Sequence, residues 1–568
     1  MKKFNNLPEL FFYQASVLSS KDHLKKINNI TNKVDTFTWQ NTLDEVSKLY
    51  QFFEHQQLNE FDRIMLVSEN RPEWMISDLA IMSSKLITIP NYTTYTSKDF
   101  EYIINDASPN GLIVSNLNLL KKIIQATKSV NFKFKFVLVI DEFEENLGIE
   151  NIYFWKNLVS INNIDFNKYK SLKRTDPSCI IYTSGTQGKP KGVTLSHGGI
   201  LSNCEAADIV LHSIKSDDLC FLTWLPLSHS YEHTVQFAQI ALGAITFYND
   251  SIEKLLPTLK IAKPHILTAV PRFYNNLYSK MLINLSKQSK FKQILFSKTV
   301  ELGIKVNNNS KITLIDKFFN SILSLLVRKK IIQQFGGNLI AFISGGGPLD
   351  SKIGNTLNAL GVKTLQGYGL TETSPVVSCN PLTNIKVTTV GPVLPNVEVK
   401  IAEDGEILVR GEVLMIGYWN NKSATNEIIK DGWLYTGDIG NFDSDHYLII
   451  TDRKKDIIIS SGGDNISPSK LENLLTLDTK IEQACIFGDN KSYISALIVL
   501  NPQENSNKNE IQDYITNLNL SLSQPEKIKR FEIIDTIFSM ENELLTPTMK
   551  VRRHKVFEKY KELIGMMY

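Results

Sequence analysis

The stretch YTSGTQGKPKGV at positions 182–193 follows a short apolar run and is rich in glycine, hydroxyl and lysine side chains. Glycines let a backbone approach a ligand closely, and the N–H groups of such a turn can form an anion-binding nest. The stretch is not a Walker A loop, because Gly188 and Lys189 are followed by Pro190 where that motif needs Ser or Thr. It predicts a triphosphate-binding loop of another type, although a flexible hairpin turn fits the same letters.

Apolar runs alternate with helical patterns on both sides of this loop, which is typical of α/β layers with a largely parallel sheet. From about residue 385, short strands joined by turns, as in 398–411, indicate a small antiparallel barrel or sheet. The fold class we expect is α/β: a large N-terminal body of layered α/β subdomains with a small β-barrel-like part, residues 1–452, and a small mobile C-terminal α+β domain, residues 453–568. The clearest predicted strands are 63–70, 135–142, 178–183 and 338–344, and the clearest helices are 72–84 and 198–213.

Charge and cysteine content narrow the class of protein. The formal net charge is +3, from 62 basic and 59 acidic residues, which argues against a nucleic-acid binder. Five cysteines without a Cys-x-x-Cys pair argue against a disulfide framework or zinc site and favour the cytoplasm. Pro8 and Glu9 interrupt the N-terminus, so we expect no signal peptide, and no run of ~18 apolar residues predicts a membrane span.

A second motif, QGYGLTET at 366–373, has the parts of a nucleotide site. Two glycines and an aromatic ring can form a flat slot for a purine, with Tyr368 stacked on the base. Thr371 offers a hydroxyl, and Glu372 offers a carboxylate of the kind that holds magnesium on a nucleotide. The alternative is a glycine-rich turn with a solvated Glu.

Two later motifs are ambiguous when each is taken alone. In GWLYTGDIG (432–440), Asp438 could accept both hydroxyls of a ribose, but Tyr-Thr-Gly-Asp is also ordinary turn chemistry. In LTPTMKVRR (545–553), Lys550 would by itself be taken for a solvated surface charge. These two motifs follow the first two in order along the chain. A chance match of such an ordered series to one known family is improbable.

Together, these motifs resemble those of the AMP-forming adenylating superfamily, which includes acyl-CoA synthetases, firefly luciferase and peptide-synthetase adenylation domains. The span 431–456, with NRPEWMISDLAIM (70–82) and LPLSHSYEH (225–233), resembles long-chain fatty acyl-CoA synthetases. Two departures are mild: Gln187 stands where the family usually has Thr or Ser, and Gly347 where Ala is common. The resemblance covers nearly the whole chain.

The resemblance implies a role for each matching residue. The implied catalytic residues are Lys550, Glu372 and His229, and the implied metal ligands are Thr183 and Glu372. Lys455 is implied as the hinge between the two domains, and Gly462 as a contact of coenzyme A (CoA). The residues implied in ATP binding are Thr183, Ser184, Gly185, Thr186, Gly188, Lys189, Gly345, Gly346, Gln366, Gly367, Tyr368, Thr371, Asp438 and Arg453.

The implied reaction is two-step: a medium- or long-chain fatty acid and ATP form an acyl-adenylate, and CoA then takes the acyl group, with Mg2+ bound to ATP. An enzyme that loads a carrier protein would share every motif. A luciferase-like oxidation and a non-catalytic nucleotide-binding scaffold at a membrane surface are weaker alternatives. The acyl chain length and the oligomeric state stay open.

Three further patterns each have two interpretations. The apolar stripe 315–332, with basic residues at its end, predicts a helix packed on the body, and the alternative is a surface that contacts a membrane. His229 and His233 are spaced like a zinc pair, but no third ligand accompanies them, so we expect no zinc. The side chains that either line an acyl tunnel or belong to the core are Trp224, Phe273 and Tyr274.

Overall fold

The structure is a computed structural model that describes residues 2–159, 166–183, 190–211, 214, 216, 218–308, 310–504, 506–539, 541–546 and 551–568. Strands and helices alternate through most of the first 380 of these positions, as the sequence predicts. The strands, numbered in chain order, are β1 (Asp22–Ile27), β2 (Val34–Thr38), β3 (Arg63–Val67), β4 (Ile87–Asn91), β5 (Gly111–Val114), β6 (Phe136–Val139), β7 (Ile152–Phe154), β8 (Pro177–Thr183), β9 (Lys191–Ser196), β10 (Cys220–Thr223), β11 (Ile245–Tyr248), β12 (Ile266–Ala269), β13 (Ala341–Ser344), β14 (Lys363–Gly369), β15 (Val376–Cys379), β16 (Val397–Ile401), β17 (Glu406–Gly411), β18 (Gly417–Tyr418), β19 (Ile429–Lys430), β20 (Trp433–Phe442), β21 (Leu448–Arg453), β22 (Ile458–Ile459), β23 (Asn465–Ile466), β24 (Ile481–Phe487), β25 (Ile494–Leu500) and β26 (Ile528–Ile533).

The helices begin at the signals that the sequence offers. Helix α3 has Pro72 in its first turn, where a missing N–H costs nothing, and Glu73 beside the positive end of the helix. The helices are α1 (Leu7–Leu18), α2 (Trp39–His55), α3 (Pro72–Ser83), α4 (Ser97–Ala107), α5 (Leu117–Ser129), α6 (His197–Val210), α7 (Ser230–Ala241), α8 (Leu255–Ala262), α9 (Pro271–Ser286), α10 (Lys290–Asn307), α11 (Leu314–Leu323), α12 (Lys329–Gln334), α13 (Ser351–Ala359), α14 (Lys422–Ile428), α15 (Pro468–Leu475), α16 (Lys508–Asn519), α17 (Arg553–Lys559) and α18 (Lys561–Met566).

Two eight-stranded sheets form the large N-terminal body. One has the strand order β15-β14-β13-β12-β10-β11-β1-β2 and the other β18-β9-β8-β4-β3-β5-β6-β7. The inner pairs of both sheets are parallel, and the antiparallel pairs lie toward the ends, as in β14–β15 and β8–β9. The expectation of a mainly parallel, layered α/β body is confirmed.

The second sheet is buried on both faces. Along β3, Ile64 and Leu66 belong to one apolar cluster, whereas Met65 and Val67 belong to another. This is the period-2 alternation of a strand with two covered faces. Helices α4 and α5 cover one face, and α1, α2, α3, α6 and α7 lie between the two sheets.

The rest of the chain forms two smaller units. Strands β16, β17, β20, β19 and β21 make a five-stranded antiparallel sheet, which confirms the change of texture predicted after residue 385. Strands β24, β25 and β26 make a three-stranded sheet that has apolar clusters on both faces and is packed with the last helices. In the described part of the chain, no helix is both long enough and apolar enough to cross a membrane.

One prediction for the body is confirmed only in part. The stripe 315–332 is helical and packs on the body, but the apolar side chains of α11 other than Leu323 face solvent. The large apolar side chains of α11 that are exposed are Leu314, Ile315, Phe318, Phe319 and Ile322. The helix contacts α10, and its Leu323 is buried. We call these five exposed side chains the α11 face.

Candidate active site

The glycine-rich stretch joins two antiparallel strands, β8 and β9, of the second sheet. Thr183 at the end of β8 pairs with Lys191 at the start of β9, and its hydroxyl donates to the Lys191 carbonyl at 3.5 Å. Both residues line a cavity of about 2530 Å³. The predicted ATP ligands between them, Ser184, Gly185, Thr186, Gly188 and Lys189, lie outside the described residues.

Glu372 faces the same cavity from a single 3-10 turn that follows β14. Its Oε1 accepts a hydrogen bond from the Tyr418 hydroxyl at 2.8 Å, and the Lys191 ammonium lies 4.7 Å from the centre of the Tyr418 ring. Burial and the neighbouring Glu372 charge raise the pKa of Tyr418, so this hydroxyl stays a donor. The neighbouring Thr371 hydroxyl lies 2.9 Å from the hydroxyl of Ser230. Tyr418 therefore connects the Glu372 carboxylate to the β8–β9 pair through Lys191.

The oxygen ligands here fit magnesium held mainly by nucleotide phosphates. Thr183 and Glu372 both line the cavity, and Mg2+ prefers one or two carboxylates together with phosphate oxygens and water. Across the described ranges, no group of three or more His, Cys, Asp and Glu side chains could hold a metal ion by itself. The fit thus depends on a bound nucleotide.

A three-residue polar cluster forms where the small antiparallel sheet meets the body. Asp438 and Arg453 are direct partners in the β20–β21 ladder, and Arg453 Nε lies 3.4 Å from Asp438 Oδ1. The Tyr368 hydroxyl, from β14, donates to Asp438 Oδ2 at 2.8 Å. Burial and the Asp438 charge raise the pKa of Tyr368, which keeps this donor protonated. The structure therefore brings Tyr368 together with two residues of a motif that lies much later in the chain.

The remaining predicted adenine-side residues lie at the carboxyl ends of neighbouring parallel strands, where α/β sheets commonly bind ligands. Gln366 on β14 pairs with the last residue of β13, and its Oε1 accepts from the Leu349 N–H at 3.2 Å. Gly345 and Gly346 follow β13, and Gly346 has a left-handed φ of +81°. These residues and Gly367 all line the cavity.

His229 caps the N-terminus of α7 and lines the cavity. Its Nδ1 accepts the Tyr231 N–H at 3.1 Å, which fixes the orientation of the ring. His233, one turn later, is buried, and its Nε2 lies 2.8 Å from Asp78 Oδ2. Burial alone would lower the pKa of His233, but the Asp78 carboxylate outweighs it and the pKa is about 10. The two histidines therefore have different hydrogen-bond partners.

Apolar side chains of one cluster line part of the cavity, which we call its apolar arm. The Trp224 indole N–H donates to the Thr268 carbonyl at 2.7 Å, and its ring centre lies 5.4 Å from that of Phe273. Trp224 and Phe273 line the cavity, whereas Tyr274 is completely buried against Phe342. Of the three side chains that could either line the cavity or belong to the core, Trp224 and Phe273 line the cavity and Tyr274 belongs to the core. The other apolar side chains at this arm are Ile252, Leu255, Leu256 and Leu277.

The C-terminal unit closes one side of the cavity. Thr546 and Val551 line it on either side of residues 547–550, and Arg553 and His554 follow them. The predicted catalytic residue Lys550 itself lies outside the described residues. Lys455, at the predicted hinge, also lines the cavity, whereas Gly462 is exposed in the turn between β22 and β23.

The sequence matches the AMP-binding enzyme family over residues 14–419 and the C-terminal domain of AMP-binding enzymes over residues 455–568. This chain belongs to the AMP-binding enzyme family. It is 31% identical over 533 residues to the long-chain-fatty-acid–CoA ligase FadD15 of Mycobacterium tuberculosis, covering 89% of this chain and 88% of that protein. It is 28% identical over 561 residues to the peroxisomal long chain acyl-CoA synthetase 7 of Arabidopsis thaliana, covering 90% and 78%.

Solved structures give the same fold. The anthranilate CoA ligase AuaEII in complex with anthranoyl-AMP superposes with a TM-score of 0.79 at 18% identity, covering 100% of this chain and 99% of that one. O-succinylbenzoate CoA synthetase (MenE) of Bacillus subtilis, in complex with ATP and magnesium ion, gives 0.71 at 19% identity, covering 96% and 98%. The predicted family and fold class are confirmed, while the individual site residues remain predictions.

Sequence reasoning missed two side chains at this AMP-binding enzyme site. Tyr418, which holds Glu372, has no motif of its own, and its pairing through β18 with β9 gives no signal in the sequence. Glu232 lines the cavity, and its Oε2 accepts the Thr268 hydroxyl at 2.7 Å. Burial raises the pKa of Glu232 to about 7. A signal for it did exist, since it lies within the quoted motif 225–233.

Proposed function

We propose that this AMP-binding enzyme is an AMP-forming fatty acid–CoA ligase: a fatty acid, ATP and CoA give acyl-CoA, AMP and diphosphate through an acyl-adenylate. The observation that carries the proposal is one cavity with two kinds of wall. The cluster of Tyr368, Asp438 and Arg453 offers polar groups for a nucleotide, and Trp224 and Phe273 offer an apolar surface for an acyl chain. The long-chain acyl-CoA ligases among its relatives support the same substrate class.

In the first step, a carboxylate oxygen of the fatty acid attacks the α-phosphorus of ATP, and the bond to diphosphate breaks. Asp438 accepts the ribose hydroxyls, because it lines the cavity beside Tyr368 and Arg453 and a carboxylate oxygen can accept more than one hydrogen bond. His229 faces the acyl carboxylate, because it lines the cavity at the N-terminus of α7. Lys550 supplies positive charge to the transition state. When Mg2+ is bound, held by Glu372 and Thr183, it neutralises phosphate charge.

In the second step, the CoA thiolate attacks the acyl carbonyl and AMP leaves. We propose that the C-terminal unit turns about Lys455 between the steps, so that Lys550 leaves the cavity and the turn containing Gly462 enters it. The present arrangement supports an adenylation state, because Thr546 and Val551 line the cavity while Gly462 is exposed outside it. The five described cysteines are free, which supports a cytoplasmic location.

The test is to incubate the purified protein with ATP, Mg2+, CoA and saturated acids of six to eighteen carbons, and to quantify AMP and acyl-CoA by chromatography. Equal amounts of both products are expected. Diphosphate exchange without acyl-CoA, together with acylation of a carrier protein, would overturn the choice of acceptor and favour the carrier-protein ligase. Absence of exchange with every acid would overturn the adenylation step itself.

Lys550 has a matched control in the same segment. We expect Lys550→Ala to lower the rate of adenylate formation about 100- to 1000-fold, since it removes one charged donor from the transition state, while ATP still binds. Lys555→Ala removes an equally positive side chain that pairs with Glu558 at 3.5 Å, and it should leave the rate unchanged. Diphosphate release at the wild-type rate in the Lys550 variant would refute its role.

A further inference from the structure

The α11 face presents large apolar side chains to solvent on a well-formed helix. Leu314 is 82% exposed and Phe318 is 66% exposed. At 3.6 residues per turn, the five positions of the face fall within an arc of about 140°. The next turn extends the face with Leu325, which is 67% exposed, and Leu326. A contiguous exposed apolar surface of this kind marks an interaction site, because single scattered apolar side chains are the norm on monomers.

The orientation of this helix is fixed from its inner side. A capping box between Thr313 and Asp316 starts the helix, and Leu323 is buried beneath it. Arg328 then donates to the Ala359 carbonyl at 2.7 Å and to the Asn320 side chain at 2.8 Å. These contacts hold the polar side of the segment against the body. The apolar side therefore faces outward because of specific bonds, and not because the helix is detached.

Lysines surround the α11 face. Lys311 precedes the helix, Lys317 lies on it, and Lys329 and Lys330 follow the π-helical turn Ser324–Arg328; all four are exposed. Among the residues that the structure describes, none of these four lysines forms a salt bridge, and Asp316, the one acidic residue of 311–330, is bound at the helix cap. An apolar face bordered by cations is the chemistry of a helix that lies in the surface of an anionic bilayer.

We propose that the α11 face docks the protein on an anionic lipid bilayer. Strands β12 and β13 are hydrogen-bonded neighbours, although residues 270–340 separate them in the chain. The α11 helix belongs to this long insertion between the two strands. The insertion begins with α9, whose Phe273 and Leu277 line the apolar arm of the cavity. The surface that touches lipid and the wall that would touch an acyl chain are thus parts of one helical insertion.

A second copy of the chain is a less suitable occupant. A two-fold dimer through the α11 face would bring the same patch against itself, so that the lysines around one face would oppose those around the other. Such like-charge contact is unfavourable across an interface. An anionic bilayer instead attracts every one of these lysines, with a gain of roughly fivefold in binding for each lysine near the surface.

The experiment is cosedimentation of the full chain with vesicles of phosphatidylcholine, with or without one third phosphatidylglycerol. Wild type should bind the anionic vesicles, and added salt should weaken the binding. Leu314→Asp combined with Phe318→Asp should bind at least tenfold more weakly; both side chains are largely exposed, so folding should be kept. Leu520→Asp is the matched control, because Leu520 is also 82% exposed but lies in α16's end turn, and it should bind as wild type does.

Two results would overturn the proposal: no binding of wild type to anionic vesicles, or equal binding of the double variant. A wild-type dimer in sedimentation velocity that the double variant dissociates would also overturn it, in favour of a second copy. Adenylation of a soluble six-carbon acid, measured on the same samples, keeps the two proposals apart. Vesicle binding without adenylation would refute only the proposed function, and adenylation without vesicle binding would refute only the docking surface.

Discussion

Asp438 is the residue whose proposed role can be tested most directly. Asp438→Asn keeps the shape of the side chain but removes its charge. Hydrogen bonds to a charged group contribute roughly 1.5–3 kcal/mol and neutral ones roughly 0.5–1.5 kcal/mol, so each ribose hydroxyl bond should lose about 1–1.5 kcal/mol. Two hydroxyls give about 2–3 kcal/mol, and since about 1.4 kcal/mol is tenfold, AMP affinity should fall about 30- to 150-fold.

The assay is calorimetric titration of AMP, with the far-UV circular dichroism spectrum recorded to show that the fold is kept. Asp445→Asn is the control, since Asp445 is 63% exposed and pairs with Lys386 away from the polar cluster, and its affinity should equal that of wild type. Tyr368→Phe removes only the 2.8 Å donor to Asp438, so it should cost less than tenfold. AMP affinity within twofold of wild type in Asp438→Asn would refute the ribose assignment.

Two further predictions concern packing around the site. Asp78→Asn should lower the free energy of unfolding by about 3–5 kcal/mol at neutral pH, because it breaks a buried ion pair with His233. The pKa of His233 is about 10 in the folded protein and exceeds its unfolded value. The extra stability of the wild type over the variant is therefore complete below pH ~6.5 and is lost as pH rises toward 10. Denaturant titrations at several pH values should show this loss, and a difference in unfolding free energy that stays constant with pH would contradict it. Gly345→Ala should reduce adenylation, because its Cβ would lie 3.1 Å from the Tyr231 ring, whereas Gly347→Ala, at 3.4 Å from the nearest atom, should be tolerated; equal rates in steady-state kinetics would contradict this.

Local patterns predicted the elements well where several signals agreed. The strand predicted at 178–183 is β8, Pro177–Thr183, because an apolar run ends there in a turn-forming stretch. The helix predicted at 72–84 is α3, Pro72–Ser83, where proline and acid mark the first turn. The direct pairing of Asp438 with Arg453 in the β20–β21 ladder was not predicted, although the resemblance assigned both residues to ATP binding.

What the sequence did not predict depends on partners distant in the chain. The stripe 315–332 has the period of a helix, but periodicity does not say what covers the apolar side, and the structure leaves it uncovered. Tyr418 reaches Glu372 only because β18 adds to the edge of the sheet beside β9, a pairing of short strands without a pattern. In both cases the conformation depends on tertiary packing between distant parts of the chain. Local sequence propensities carry no information about such packing.

The end of β21 gives a physical basis for a hinge at Lys455. Asp438 and Arg453 are the last side-chain partners of the β20–β21 ladder, and the Lys454 N–H still donates to the Gly437 carbonyl at 2.8 Å. The Lys454 ammonium binds Asp404 at 2.6 Å and Glu406 at 2.9 Å, so the chain is anchored to the small antiparallel sheet up to this residue. A rotation that begins one residue later would therefore leave the proposed ribose contacts in place while it moves everything beyond them. The nucleotide could then stay bound through both steps while the catalytic groups around it are exchanged.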